Sequence, residues 1–231
     1  MKHPATLRLC VRKHKSAKRK GAEEDFKDDD IGGKIAMAEK EEMFQMRWHS
    51  RGGQGAKTAA DFFTQVAISE GKYSQAFPEY GPERSGAPMR SYTRISTEPI
   101  KLHSAVYTPD AIIVLDPTLV GTVDVWEGLS EGGTVVINTN LSPQEARREF
   151  DIEGGKLFTI DATKIALDEL GRNIPNMPMV GALVKATGLV ELDHVVEGLR
   201  KTFSAKFGKE VVEKNVRAIN RAYKEVKGEN A

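Results

Sequence analysis

Three short apolar runs constrain the fold of this chain more than any other feature: Ala111–Leu115 (AIIVL), Gly133–Asn138 (GTVVIN) and Lys156–Ile160 (KLFTI). Successive side chains of a strand point to opposite faces. A strand that is apolar at consecutive positions must therefore be covered on both. Helices are expected between and after these runs, at Thr118–Gly128, Pro143–Glu149 and Ala162–Gly171. Such alternation predicts an α/β fold with a mostly parallel sheet flanked by helices. An antiparallel portion is expected upstream, because the strand-like segments Lys72–Phe77 and Met89–Ser96 are joined without a helix. C-terminal helices complete the pattern. Leu192, Val195, Val196 and Leu199 mark one face of a helix that Gly208 ends. Val212, Val216, Ile219, Tyr223 and Val226 mark the face of the next. These faces either cover the chain's own sheet or mate with partner chains.

The first strand–helix unit carries the first candidate site. Met43–Trp48 alternates with Phe44, Met46 and Trp48 on one face, and the glycine-rich turn Ser50–Gly55 follows it. Ala59, Phe62, Phe63 and Val66 then give the stripe of a helix over Ala56–Glu70, stopped by Gly71. A strand, a glycine turn and a helix N-terminus together make an anion site. A Walker A loop fails here, because its glycine slots before Lys57-Thr58 hold Arg51 and Ala56. The dinucleotide fingerprint fails too. Gly53-x-Gly55 is followed by Thr58 in the third slot, and no acidic residue stands near Gln75 and Ala76. Two readings remain: a tight turn without ligand, or a phosphate cradle. In the second, Gly52, Gly53, Gln54 and Gly55 supply the turn and its N–H donors, and Arg51 or Lys57 the charge.

A second candidate is the segment from Phe77 to Pro88. Gly81, Pro82, Gly86 and Pro88 fix its backbone, and Glu79, Glu83, Arg84 and Arg90 charge it. A stiff, charged loop suits recognition. His49, beside the glycine turn, is either a satisfied edge histidine or an acid–base group. His103 and His194 are expected at the surface, and Ser85 has no base beside it in sequence.

Charge and cysteine content exclude several classes. With 34 Lys and Arg against 33 Asp and Glu, a net charge of +1 gives no global attraction to nucleic acid or anionic membrane. A single cysteine, Cys10, supplies neither an iron–sulfur cluster nor a disulfide framework. No run is long enough for a transmembrane helix, and no secretory signal pattern opens the chain, so a cytoplasmic protein is expected. Residues 1–42 hold a basic block, Arg8–Lys20, and an acidic block, Glu23–Asp30. They are expected to be a disordered extension, a docking arm, or sequence upstream of a start at Met37 or Met43. Residues 43–231 are expected to form one α/β domain.

Two motifs, in order, carry a family resemblance. Arg51-Gly52-Gly53-Gln54-Gly55, followed by Tyr80-Gly81-Pro82-Glu83-Arg84-Ser85-Gly86-Ala87-Pro88, resembles the gamma subunits of 2-oxoacid:ferredoxin oxidoreductases, most closely the pyruvate type. Asp110–Asp116, Gly132–Asn138 and Asn176–Ala182 match as well, and the likeness runs from Met43 to about Gly188. The resemblance implies a subunit of a complex that converts a 2-oxoacid and coenzyme A to acyl-CoA and carbon dioxide, with the electrons passing to ferredoxin. It places thiamine diphosphate, its Mg ion and 4Fe–4S clusters in the alpha, beta and delta chains. It links the gamma chain to coenzyme A binding and active-site closure. Glu79, Gly81, Glu83, Arg84, Ser85 and Gly86 are then expected at a partner interface or active-site rim, with no catalytic residue in this chain. Ser85-Gly86-Ala87-Pro88 is similar to the pyruvate and branched-chain types, whereas the 2-oxoglutarate type tends to carry Arg-Gly-Gly. The residues agree on one point: without cluster cysteines or a Gly-Asp-Gly…Asn-Asn thiamine motif, the chain cannot run the redox reaction alone. A free-standing nucleotide-binding regulatory module is the alternative.

Overall fold

A computed structural model of the protein describes residues 43–79, 86–204 and 206–229. The charged segment 1–42, with Cys10, lies outside the described residues. So do Gly81, Glu83, Arg84 and Ser85 of the second motif.

The elements run β1 (Met43–Arg51), α1 (Ala56–Ser69), β2 (Tyr73–Glu79), β3 (Pro88–Ser96), β4 (Ala111–Val114), a 3-10 turn (Pro117–Leu119), β5 (Thr134–Asn138), α2 (Pro143–Glu149), β6 (Lys156–Ile160), α3 (Ala162–Leu170), α4 (Asn176–Thr187), α5 (Leu192–Ser204), α6 (Lys209–Glu225) and β7 (Lys227–Gly228). The strands form one sheet in the order β2-β3-β1-β4-β5-β6-β7. β1, β4, β5 and β6 are parallel to their neighbours in that series. The β2–β3 hairpin supplies the expected antiparallel portion, pairing β3 against β1, and β7 closes the far edge antiparallel to β6.

The apolar runs are covered on both faces, as their patterns require. Ala111 and Ile113 of β4 face one core with Met46, Trp48, Val136 and Ile160. Ile112 and Val114 face a second core with Val135, Ile137 and Leu157. The first core is layered by α1, α3, α4, α5 and α6, so the C-terminal helices do cover the chain's own sheet. Burial of these faces is the main driving force for their docking.

α4 lies at the centre of that layer, and no helical stripe marks it in the sequence because it is buried all round. Pro178 is tolerated in its first turn. Gly181 lets it cross α6 closely, since a Cβ there would stand 2.3 Å from the Ile219 carbonyl oxygen.

The helix expected at Thr118–Gly128 does not form. After the 3-10 turn the chain is irregular to β5. Gly121 and Gly128 take positive φ, and the Asp124 carboxylate accepts the N–H groups of Trp126 and Glu127 in a local turn. The carbonyls of Val125 and Glu127 accept from the Arg47 guanidinium of β1 instead of from helical N–H groups.

Candidate functional site

The crossover from β1 through α1 leads to one side of the sheet, and the chain from β4 continues to the other. The carboxyl ends of β1 and β4 therefore flank a topological switch point, the place where open α/β sheets leave a crevice. The glycine turn sits there. Gly53 and Gly55 take φ of 101° and 83°, a region open to glycine and costly to other residues. Gly55 is also pressed against Asn176 at the start of α4, where a Cβ would meet Nδ2 at 2.6 Å.

Gln54 ties the turn to β4. Its Oε1 accepts the Arg51 N–H at 2.8 Å, and its Nε2 donates to Asp116 Oδ2 at 2.6 Å. Asp116 Oδ1 accepts the Thr118 N–H and hydroxyl at 3.0 and 2.6 Å, fixing the 3-10 turn. The Arg51 guanidinium closes the ring. It donates to Thr118 Oγ1 at 3.1 and 3.0 Å, to the Gly86 carbonyl at 3.2 Å, and stands 3.4 Å from Asp116.

The two sequence motifs meet here. Gly52 N–H donates to the Ala87 carbonyl, and Gly86 N–H to the Gly52 carbonyl. Of the predicted charge partners, Arg51 is committed to these internal contacts, and Lys57 bonds Asp61 one helical turn on, at 2.8 Å. What stays available is backbone. α1 has no side-chain N-cap, and its N-terminus follows the glycine turn at the carboxyl end of β1. Asp116, Thr118 and Asn176 are site residues that sequence reasoning did not assign. The signal for the first was Asp116-Pro117 directly after a buried strand. The signal for the last was the polar start of an otherwise apolar segment.

Behind the turn, one face of the hairpin side of the sheet is polar and buried. Arg47, His49 and Arg94 are fully enclosed. Arg47 Nε donates to His49 Nε2 at 3.0 Å. Burial, then the charges of Arg47 and Arg90, press the His49 pKa down to about 3, so the ring is neutral. Tyr92 donates its hydroxyl to Glu79, and burial together with that carboxylate pushes its pKa up to about 12. Arg94 donates to Gln45 Oε1 and to the carbonyls of Ser104 and Ala105, while its Nη1 has no hydrogen-bond partner among the described residues. His49 is thus a satisfied structural histidine on one ring nitrogen. His103 is exposed as expected, and exposed His194 bonds Glu70 at 2.9 Å. Among the described residues no three His, Cys, Asp or Glu side chains form a metal site, and no helix is long and apolar enough to cross a membrane.

Comparison with known proteins gives this geometry its family. Residues 45–225 match the family model described as pyruvate ferredoxin/flavodoxin oxidoreductase. This chain belongs to that family. Its gamma-type character follows from its relatives. It is 48% identical over 184 residues to the pyruvate synthase subunit PorC of Thermotoga maritima, covering 80% of this chain and 95% of that one. It is likewise 48% identical to the pyruvate/ketoisovalerate oxidoreductases common subunit gamma of Thermococcus kodakarensis, covering 78% of this chain and 96% of that one. The crystal structure of pyruvate oxidoreductase subunit PORC from Thermotoga maritima superposes with a TM-score of 0.71 at 44% identity, over 81% of this chain and 98% of that chain. The resemblance read from the glycine turn and the second motif is borne out. Within this oxidoreductase family the chain is a gamma-type subunit of a larger enzyme.

Proposed function

We propose that this gamma subunit helps bind coenzyme A and close the active site of a pyruvate:ferredoxin oxidoreductase. It would work with alpha, beta and delta chains that hold thiamine diphosphate, Mg and 4Fe–4S clusters, and ferredoxin would accept the electrons. The observation that carries the ligand reading is the N-terminus of α1, which has no side-chain cap and follows a glycine turn at the switch point of the sheet. Coenzyme A carries a pyrophosphate and a further phosphate on its ribose. Unpaired N–H groups at a helix start suit such anions. In this reading Gly53, Gln54 and Gly55 shape the cradle, Gly52 holds the second motif, and Arg51 and Lys57 add positive field. Glu79, Gly81, Glu83, Arg84, Ser85 and Gly86 form the rim toward partner chains. The names of the relatives support pyruvate over 2-oxoglutarate. One relative is named as common to pyruvate and ketoisovalerate enzymes, which fits a gamma chain that does not choose the acyl group. The separate regulatory module has no observation in its favour.

Two measurements test this. Native purification should bring down cysteine-rich and thiamine-binding chains with this one, and a lone monomer would sink the subunit reading. Calorimetry of the assembled complex with coenzyme A should show weaker binding when Arg51→Ala and Lys57→Ala are combined. Unchanged affinity would remove the phosphate assignment.

A further inference from the structure

The two edges of the sheet are built differently. β7 is two residues long and carries Lys227, a short charged edge of the kind that resists further pairing. β2 is seven residues long. Its register with β3 runs unbroken from Tyr73 to Glu79, so no bulge turns the edge away. Tyr73-Ser74-Gln75-Ala76-Phe77 holds no charged residue, and Pro78 comes only after it.

Pro78 also sets which main-chain groups face outward. Successive residues of an antiparallel strand turn their N–H and C=O groups to alternate sides. Pro78 has no N–H to give β3, so its nitrogen faces the open edge. Ser74 and Ala76 share that orientation. The N–H groups of Ser74 and Ala76, and the carbonyls of Ser74, Ala76 and Pro78, have no hydrogen-bond partner among the described residues.

Apolar side chains flank this edge on both faces. Ala76 packs on the first core, and exposed Ile68 ends the α1 layer beside the start of β2, where the Lys72 N–H bonds the Ala67 carbonyl. On the other face Tyr73 and Leu102 are exposed. The Leu102 carbonyl is tied to the strand by Gln75 Nε2 at 2.7 Å. A strand laid beside β2 would meet apolar groups above and below. That setting suits a segment apolar at consecutive positions, as β4 is within the sheet.

A second copy of this chain fits the edge poorly. Two-fold pairing of β2 with itself would set polar Ser74 and Gln75 between those apolar groups and bring Pro78 into the ladder without an N–H. A strand of five residues, about 17 Å long, also covers only part of the roughly 800 Å² per partner that a stable interface buries. The occupant is then a segment of a subunit held by other contacts as well, and a larger enzyme supplies such subunits.

We propose that the β2 edge takes an apolar extended segment of a partner subunit as an added strand, hydrogen-bonded to the outward groups of Ser74, Ala76 and Pro78. This contact is independent of what the glycine turn binds.

Amide exchange in the assembled complex, resolved to single residues, tests it. Gln75 and Phe77 face β3 and are protected with or without a partner. Ser74 and Ala76 should exchange as slowly as they do, about a hundredfold or more below an exposed amide. Free exchange at Ser74 and Ala76 beside protected Gln75 and Phe77 would overturn the proposal. A photo-cross-linking side chain in place of Tyr73 should join a peptide of a partner subunit. Cross-links to a second copy, or within this chain, would overturn it too. Tyr73→Lys combined with Leu102→Lys charges one flank at two exposed positions. The chain should then melt as wild type does, while its affinity for the partner subunits falls by about tenfold or more. Wild-type affinity in that variant would sink the idea.

Discussion

Gly55 joins backbone conformation to tertiary packing at a single atom. Its φ of 83° is unfavourable for any side chain, and a Cβ would lie 2.6 Å from Asn176 Nδ2. Gly55→Ala should cost about 1–3 kcal/mol in urea unfolding, the usual scale for a strained non-glycine backbone. An unfolding midpoint equal to wild type would mean that the turn can relax. His49 gives a pH signature instead. Its folded pKa, about 3, lies below the ordinary 6.5, so the unfolded chain takes up the proton first as pH falls. The stability from this group is complete above the ordinary histidine pKa and drains away between there and 3. His49→Gln keeps an acceptor for Arg47 without a titrating ring. Between about pH 7 and about pH 4 its stability should fall less steeply than that of wild type, and parallel slopes would contradict the buried neutral ring.

At the scale of elements, α4 and α6 depend on one small contact. Gly181 presents no side chain to the Ile219 carbonyl, and Gly181→Ala should push the helices apart at a cost of about 1–3 kcal/mol, the range of an overpacked core. Thermal unfolding measures it, and an unchanged midpoint would refute the close crossing. These elements also set how much could be known beforehand. The buried strands and α1, α5 and α6 were legible because each has a simple period, two or 3.6, against a core. α4 has none, since every side of it is covered. The failed helix after Asp116 had a plausible pattern, but its carbonyls are taken by Arg47, a residue far away in sequence. For the same reason the glycine turn could be found while its ring could not. The pairing of Gln54 with Asp116 is a tertiary fact. α5 adds a clasp to α1: the Glu70 carboxylate takes the Glu191 N–H, Lys72 and His194. The hydrogen bond to Glu70 raises the His194 pKa, so this contribution is present below the ordinary histidine range and lost as pH rises through the raised value. Faster amide exchange at Glu191 with rising pH, beyond the intrinsic rate and absent in His194→Ala, is the expected mark.

The domain that the described residues build is lopsided. Five helices cover one face of the sheet, while the other carries α2 and two long loops fastened by buried arginines. Arg47 holds the loop after β4 through its carbonyls, and Arg94 holds the loop after β3. The described parts of the candidate site, including the rim at Gly86, hang on that second face or on the carboxyl end of the sheet. On the proposed reading these parts hold phosphate and do not touch the 2-oxoacid. Substrate choice should therefore stay with the partner chains. Complexes reconstituted from pyruvate-type or ketoisovalerate-type alpha, beta and delta chains with this same gamma chain should keep the kcat/KM ratio of the partner set for the two acids. The affinity for coenzyme A, in contrast, should follow the gamma chain and its Arg51 ring. A ratio that shifted with the gamma chain would place acyl recognition at its rim. That result would add selection of the acid to the role of the second motif as a rim toward partner chains.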